Sequence, residues 1–232
     1  MSWKEIVRSL PVLGPLSKKL RPPRYDASFD GSADYWERRY RQGGNSGAGS
    51  YNRLAEFKAQ ILNDLVAKHQ LGSVIEFGCG DGAQLELCHY SSYVGVDVSW
   101  TVIEQVRRRF ISQPNFAFLH SSEVTAENRA DLALSLDVIY HLVEDETFHA
   151  YMQRLFASAE KFVAIYASNK DDRSTGTPHV RHREFTQWVE KNRADFKLTE
   201  IIPNRYPFDP KNADETSFAD FYIYRREGAD IN

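Results

Sequence analysis

The feature that most constrains the fold is a glycine-rich turn directly after a short apolar run. Val74-Ile75-Glu76-Phe77 has the length and composition of a buried strand, and Gly78-Cys79-Gly80-Asp81-Gly82 follows it without a break. Glycine adopts positive φ and lets a backbone approach a ligand closely, so this turn is typical of the first crossover in an open α/β sheet. We expect a helix from about Ala83, with backbone N–H groups directed at the ligand.

Beyond residue 51 the chain alternates between strand-like and helix-like periodicity. Such alternation predicts a parallel sheet with helices on both faces. The end of the chain differs, because Leu198–Ile202 and Phe218–Tyr224 look like two strands joined without a helix, which predicts a terminal antiparallel pair. The strands predicted before them are residues 74–77, 93–98, 116–119, 132–136 and 162–166, and the predicted helices lie at 54–65, 101–111, 145–158 and 183–194.

The first 50 residues differ from this domain, which we assign to residues 51–232. Residues 1–24 form a basic arm with helical spacing of apolar residues, and its only acid is Glu5. The arm is interpreted either as a helix docked on the protein or as a weak contact with an anionic membrane surface. The glycine-rich segment Gly43–Ser50 is either a flexible linker or a lid that orders over a ligand.

Composition excludes several classes of protein. The net charge of −3 offers no general attraction to nucleic acid, so no nucleic-acid partner is expected. The two cysteines, Cys79 and Cys88, provide no disulfide framework. No run approaches the roughly 20 apolar residues of a membrane span, and no signal peptide is recognisable. We therefore expect a cytoplasmic protein, peripheral to the membrane only if the basic arm binds there.

The details of the turn discriminate between nucleotide ligands. Its spacing is G-x-G-x-G, and it carries the carboxylates Glu76 and Asp81, which would repel a pyrophosphate. The same carboxylates favour S-adenosylmethionine, which presents a sulfonium and an ammonium group. Asp97 ends the second strand, where a carboxylate can accept hydrogen bonds from both ribose hydroxyls. The alternative for Asp97 is a helix cap, although Ser99 can serve that purpose.

At these residues the chain resembles the class I S-adenosylmethionine-dependent methyltransferases, across roughly residues 51–226. The resemblance implies a Rossmann-like sheet of seven strands, mostly parallel with an antiparallel last strand. It also implies cofactor contacts from Gly78, Gly80 and Leu136, and an adenine contact from Ser121 or Ser122. These serines stand where an acidic residue is common, and Glu123 is the alternative. The matching segments are Glu76–Gly82, Val94–Asp97 and Ser135–Leu142.

The region before the domain carries a second resemblance. Trp36, Tyr40 and the stretch Gly43–Arg53 are similar to those of methyltransferases found beside bacterial surface-polysaccharide and glycan genes. The resemblance implies that Trp36 and Tyr40 cover the methionine end of the cofactor. Arg53 would then pair with the methionine carboxylate, since a guanidinium binds a carboxylate through two hydrogen bonds. A surface arginine on a helix is the alternative interpretation.

Histidines near the ends of the fourth and fifth strands are the candidates for acceptor chemistry. His141 lies at the carboxyl edge of the sheet, where it is the first candidate for a general base, although a packing role is the alternative. His179 and His182 lie in the loop Thr177–Arg183 and are alternative bases, with Arg181 or Arg183 available to an anionic substrate. Two histidines with H-x-x-H spacing do not define a metal site, and none is predicted.

Together these features predict a methyltransferase that acts on a hydroxyl of a small molecule or glycan. N- or C-methylation of another metabolite is an alternative for the same fold. A nicotinamide-dependent oxidoreductase and a non-catalytic scaffold that retains the cofactor pocket are alternatives from other classes. The oligomeric state is not predicted.

Overall fold

The computed structural model describes residues 29–173 and 177–230. The basic arm at residues 1–24, for which we predicted helical spacing and a membrane-surface contact, lies outside these ranges. Within them, no helix is both long enough and apolar enough to cross a membrane.

The described chain forms one sheet of seven strands in the order β3-β2-β1-β4-β5-β7-β6. The first five strands pair in parallel, and β7 lies antiparallel between β5 and β6. This arrangement confirms the predicted α/β fold and the antiparallel pair at its end. The strands are β1 (Val74–Phe77), β2 (Tyr93–Asp97), β3 (Phe116–His120), β4 (Ala130–Leu136), β5 (Ala159–Ala167), β6 (Phe196–Ile202) and β7 (Asp220–Arg226).

Helices cover the sheet on both faces because successive strand residues point to opposite sides. On β4, for example, Leu132 and Leu134 pack in the cluster with α2 and α3, whereas Ala133 packs in the cluster with α4 and α5. The helices are α1 (Ser32–Arg41), α2 (Asn52–Lys68), α3 (Trp100–Arg109), α4 (Asp145–Ala157) and α5 (Phe185–Asn192).

The strand order places a crevice at the carboxyl ends of β1 and β4. The chain runs outward from β1 through β2 to β3, and then returns to place β4 on the other side of β1. Open α/β sheets bind ligands at this reversal, because the loops on the two sides diverge there. The glycine turn after β1 and the segment Asp137–His141 after β4 therefore meet at one edge.

The helix predicted from about Ala83 is wrong. After Gly82 the chain forms a single 3₁₀ turn at Leu85–Leu87 and then enters β2. Only ten residues separate Gly82 from Tyr93, which leaves no room for a regular helix and its two loops. The glycine turn therefore has no α-helix directly behind it, and the helix-dipole argument for ligand binding does not apply.

Replacing a central leucine should test the position of the core. Leu132 is fully buried at 0% exposure, and Leu132→Ala should lower the free energy of unfolding by about 2–5 kcal/mol through lost contacts and a cavity. Urea denaturation followed by circular dichroism measures the change.

The matched control is Leu198→Ala on the edge strand β6, where the leucine is 42% exposed. It should change the free energy of unfolding much less, since an exposed side chain leaves no cavity. Equal losses for the two variants would contradict this assignment of core and edge.

Candidate active site

The glycine turn is shaped by positive φ angles and by close neighbours. Gly78 and Gly80 have φ of 86° and 56°. A Cβ on Gly78 would lie 2.3 Å from Val138 Cγ2, and one on Gly80 would lie 2.2 Å from Ser46 Oγ. Glycine is therefore required at both positions for two reasons, because the backbone has positive φ and because a Cβ atom would clash with a neighbouring side chain. Both predicted glycines line a cleft together with Val138 and Ser46.

Asp97 joins the turn to the end of β2. Its Oδ2 accepts a hydrogen bond from the Gly80 N–H at 3.0 Å, and its Oδ1 accepts one from the Ser99 N–H at 3.0 Å. Burial raises the pKa of Asp97 to about 6, although these hydrogen bonds act against the rise. The helix cap of α3, which was the alternative role for Asp97, is provided by Ser99, whereas Asp97 lines the cleft.

The two carboxylates of the turn bind protein groups in this structure. Glu76 is buried and accepts a hydrogen bond from the Tyr93 hydroxyl at 2.7 Å, and burial raises its pKa to about 7. Asp81 accepts hydrogen bonds from the Ser46 N–H at 2.9 Å and the Tyr51 hydroxyl at 2.5 Å. Neither side chain lines the cleft, so the structure does not bring Glu76 into the predicted contact.

The glycine-rich segment lies directly over the turn. The Asp81 N–H donates to Ser46 Oγ at 2.9 Å, which complements the bond from Ser46 to the Asp81 carboxylate. The Tyr40 hydroxyl lies 3.1 Å from Ser46 Oγ, and Tyr40, Ser46 and Ser50 all line the cleft. The two serines were missed, because nothing in a glycine-serine stretch distinguishes a docked loop from a linker.

Helix α1 closes one side of the cleft and is attached at its first residue and near its middle. Ser32 Oγ donates to the Glu144 carboxylate at 2.7 Å. Glu37 accepts hydrogen bonds from Ser99 Oγ at 2.6 Å and Thr101 Oγ1 at 2.7 Å. Burial raises the pKa of Glu37, but these bonds outweigh burial and bring the pKa down to about 2. The Glu37 carboxylate is therefore ionised near neutral pH, and its hydrogen bonds from Ser99 and Thr101 are formed there.

Arg53 does not reach the cleft. Its Nε donates to the Glu215 carbonyl at 2.7 Å, its guanidinium pairs with the Glu215 carboxylate at 3.5 Å, and it lies 4.5 Å from the centre of the Tyr206 ring. These partners come from the loop between β6 and β7, which no local pattern connects to residue 53.

Only one of the two predicted serines is present in the lining of the cleft. Ser121 lines the cleft, as does the predicted Leu136. The Ser122 hydroxyl instead lies 2.6 Å from His120 Nδ1, outside the cleft lining. The alternative Glu123 accepts from the His120 N–H at 2.7 Å and from Arg107 at 3.0 Å, so it caps a 3₁₀ turn rather than facing a ligand.

Of the three predicted histidines, only His141 lines the cleft. Its Nδ1 lies 3.0 Å from the His179 carbonyl. A carbonyl oxygen only accepts, so Nδ1 carries the hydrogen and the Nε2 of the neutral ring bears a lone pair. Burial lowers the pKa of His141 to about 4, and Trp36 packs edge-on at 5.0 Å. The ring is therefore neutral at physiological pH and oriented by a backbone contact.

His179 and His182 have other partners. The His179 ring stacks on Tyr35 at 4.2 Å. His182 is buried, with its Nδ1 2.6 Å from Ser168 Oγ and its ring edge-on to Phe218 at 4.7 Å. Neither histidine reaches the cleft, so the structure does not place them as bases.

The two arginines of the same loop hold the chain after β4 in place. Arg181 donates to Val143 O at 3.0 Å, and Arg183 donates to Leu142 O at 2.8 Å, while both contact the Asp145 carboxylate. They stabilise the backbone beside His141 rather than facing the cleft. Among the described residues, no group of three or more His, Cys, Asp or Glu side chains could hold a metal ion.

Comparison with known proteins identifies the family. A family model described as a methyltransferase domain matches residues 50–200 of this chain. A search of curated proteins finds no match.

Solved structures with the same fold include several methyltransferases. The N-methyltransferase NodS from Bradyrhizobium japonicum WM9, in complex with S-adenosylhomocysteine, is 15% identical with a TM-score of 0.64, covering 85% of this chain and 100% of NodS. Magnesium protoporphyrin IX methyltransferase from Synechocystis PCC 6803, with bound S-adenosylmethionine, is 16% identical with a TM-score of 0.57, covering 88% and 100%. The methyltransferase domain of bacterial CtHen1-C is 19% identical with a TM-score of 0.57, covering 74% and 97%.

The family model extends over most of the sheet and includes the glycine turn, Asp97 and the segment after β4. The topology is shared with solved methyltransferases of this class. The chain therefore belongs to the methyltransferase-domain family and is a class I S-adenosylmethionine-dependent methyltransferase.

Proposed function

We propose that this methyltransferase transfers its methyl group to a hydroxyl of a small molecule or glycan, with His141 as the general base. The observation that carries the proposal is the neutral His141 ring at the cleft, held by the His179 carbonyl with a lone pair on Nε2. A base of this kind must lie within hydrogen-bond reach of the acceptor and be deprotonated at the working pH. His141 meets the second requirement because burial lowers its pKa to about 4.

The residues around the cleft fit S-adenosylmethionine. The Asp97 carboxylate has two oxygens with about four lone pairs, of which the Gly80 and Ser99 N–H groups use two. The remaining lone pairs suit the two ribose hydroxyls. Val98 and Leu136 provide apolar walls for the adenine, with Ser121 as the polar contact at its edge.

The methionine end fits hydroxyl groups rather than an arginine. Arg53 is committed to Glu215, whereas Tyr40, Ser46 and Ser50 line the cleft beside the glycine turn. Hydroxyls can donate to the cofactor carboxylate. We therefore propose Tyr40, Ser46 and Ser50 as the residues that bind this end.

S-adenosylmethionine, when bound, supplies an electrophilic methyl group on a sulfonium centre. The protein has to align the acceptor in line with that methyl group, and alignment of this kind is worth about 7–11 kcal/mol. His141 Nε2 then takes the hydroxyl proton. A weakly basic imidazole is sufficient because the acceptor oxygen loses electron density as the new bond forms, which makes its proton more acidic.

The walls near His141 favour an uncharged acceptor. Arg181 and Arg183 are committed to the chain at residues 142–145, so neither is available to an anionic group at the cleft. Trp36 offers an aromatic face beside His141, suited to a sugar ring or another flat apolar surface. The similarity of Trp36 and Tyr40 to glycan-associated methyltransferases supports a glycan acceptor.

A labelled-methyl assay tests the proposed acceptor class. The full chain is incubated with S-adenosylmethionine carrying a radioactive methyl group and with neutral glycosides or aliphatic alcohols, and mass spectrometry locates the methyl group in the product. We expect O-methyl products. Methylation only at nitrogen or carbon would contradict the hydroxyl assignment, and cofactor binding with no transfer to any acceptor would indicate a non-catalytic scaffold.

Replacing His141 should separate catalysis from cofactor binding. His141→Ala should retain affinity for S-adenosylhomocysteine and lose about 10²–10⁴-fold in kcat, the usual contribution of a general base. Isothermal titration calorimetry measures the first quantity and the labelled-methyl assay the second.

The control for this variant is His182→Ala, which removes a buried histidine of the neighbouring loop outside the cleft. It should leave kcat within a few-fold of wild type, provided the protein remains folded. Equal kcat for His141→Ala and wild type on the true acceptor would remove His141 from the mechanism.

Cofactor affinity should depend on pH through Asp97. The pKa of this carboxyl is raised to about 6, so the group is ionised at pH 7.5 and mostly protonated at pH 5. The Kd for S-adenosylhomocysteine should therefore rise roughly tenfold between pH 7.5 and pH 5, because the protonated carboxyl accepts ribose hydrogen bonds less well. Calorimetry at both values measures the shift.

Asp97→Asn should bind more weakly at pH 7.5 and lose most of the pH dependence. Glu76 also has a raised pKa, near 7, but lies outside the cleft lining. Glu76→Gln is therefore the control and should keep the pH dependence of cofactor affinity. An unchanged affinity in Asp97→Asn would argue against the ribose contact.

A further inference from the structure

Asp137 has an unusual backbone and a buried ion pair at the edge of the cleft. It follows β4 directly and has φ of 61°, a left-handed conformation that few residues other than glycine adopt. Aspartate tolerates this region better than most side chains. Such outliers persist where the surrounding structure holds them, and they concentrate at functional sites.

Both carboxylate oxygens of Asp137 are held by neighbouring side chains. Oδ2 accepts from Lys58 Nζ at 2.7 Å, and Oδ1 accepts from the Tyr140 hydroxyl at 2.8 Å. Lys58 comes from α2 and is only 1% exposed. A buried ion pair is costly to desolvate, and an apolar pair of similar size is often as stable. Stability alone therefore gives no reason for this pair.

The carboxylate is still available to a ligand. Asp137 lines the cleft and its side chain is 16% exposed, unlike its lysine partner. Lys58 and Tyr140 use two of about four lone pairs, which leaves others for a donor in the cleft. Gly49 covers the group from the lid side, where a Cβ would lie 2.7 Å from Oδ2. The carboxylate is thus fixed in direction from three sides.

We propose that Asp137 binds the reacting group of the acceptor, and that Lys58 and Tyr140 are positioning residues that hold its carboxylate. This inference rests on the proposed methyl transfer and adds the contact that holds the acceptor. A fixed carboxylate accepts hydrogen bonds, so the acceptor must carry a hydrogen on its nucleophilic atom, as a hydroxyl or an amine does. A carboxylate or phosphate acceptor would be repelled at this position. A hydroxyl has a single hydrogen, so Asp137 and His141 Nε2 share it in the bound acceptor, and it passes to Nε2 as the oxygen–methyl bond forms and the methyl–sulfur bond breaks.

Sinefungin tests the position of Asp137 without knowledge of the acceptor. In this analogue of S-adenosylmethionine a carbon with a primary amine replaces the sulfonium and its methyl group. The protonated amine therefore occupies the place of the transferred methyl, whereas S-adenosylhomocysteine has nothing there. The wild type should bind sinefungin about tenfold or more tightly than S-adenosylhomocysteine, as expected for a hydrogen bond to a charged group.

Asp137→Asn should bring this ratio of affinities close to one while changing the Kd for S-adenosylhomocysteine less than about threefold. Asparagine also tolerates left-handed φ, so the substitution removes the charge and keeps the shape. The matched control is Asp131→Asn at the start of β4, whose carboxylate also pairs with a lysine, Lys161, at 3.0 Å but lies outside the cleft lining. It should keep the wild-type ratio.

Two further variants protect the test against misfolding and separate the roles. Asp137→Asn combined with Lys58→Met removes both buried charges, and it should fold and show the same loss of preference. Tyr140→Phe should lower the ratio partially and leave the Kd for S-adenosylhomocysteine unchanged, which a purely structural role would not produce. Calorimetry measures all affinities, and thermal unfolding confirms that each variant is folded.

The outcomes separate this inference from the proposed function. An equal ratio in Asp137→Asn and wild type, or no preference for sinefungin in the wild type, overturns the role of Asp137 and leaves methyl transfer intact. Failure of the wild type to bind S-adenosylhomocysteine at all would overturn the cofactor site itself and this inference with it.

Discussion

The hydrogen bond between the Gly80 N–H and the Asp97 carboxylate connects the two loops on which the cleft depends. It links the turn after β1 to the end of β2, and it requires Gly80 to adopt positive φ so that its N–H faces the acid. The same carboxylate accepts a hydrogen bond from the Ser99 N–H and so orients this residue. Ser99 caps α3, and its hydroxyl donates to Glu37 of α1. The floor and one wall of the cleft are therefore connected through a single buried aspartate.

The other wall is organised around the segment after β4. Arg181 and Arg183 bind the carbonyls of residues 142–143, and the His179 carbonyl fixes the His141 ring. Ser32 at the start of α1 accepts a hydrogen bond from the Val143 N–H at 3.2 Å, so α1 is attached to this wall as well. Loop 177–183 thus contributes backbone and arginine contacts that position His141, whereas its own histidines face elsewhere. The result is a cleft whose polar groups are held by hydrogen bonds within the protein, which lowers the cost of binding and alignment.

Much of the fold was predictable because strand and helix periodicities are local properties. The antiparallel end was recognisable since no helix pattern separates the last two strands. The predicted helix after Gly82 failed for a reason that periodicity does not report: the ten residues before Tyr93 are too few. The predicted cofactor residues divide in the same way, between those set by local sequence and those decided by tertiary contacts. Gly78, Gly80, Asp97 and Leu136 lie where motif position places them, whereas Arg53 and Glu76 bind Glu215 and Tyr93.

By itself the sequence determined the class of sheet, the glycine turn and the identity of the methyl donor, because these depend on residues adjacent in the chain. Only the tertiary structure decided which polar side chains reach the cleft. Asp137 meets Lys58 across 79 positions, and Ser46 meets Asp81 across 35. No composition or spacing predicts such pairs, since they depend on how helices dock on the sheet and on which hydrogen bonds satisfy each buried group. The glycine turn identifies the donor, while the tertiary contacts of His141 and Asp137 are the basis for the acceptor roles that we propose for them.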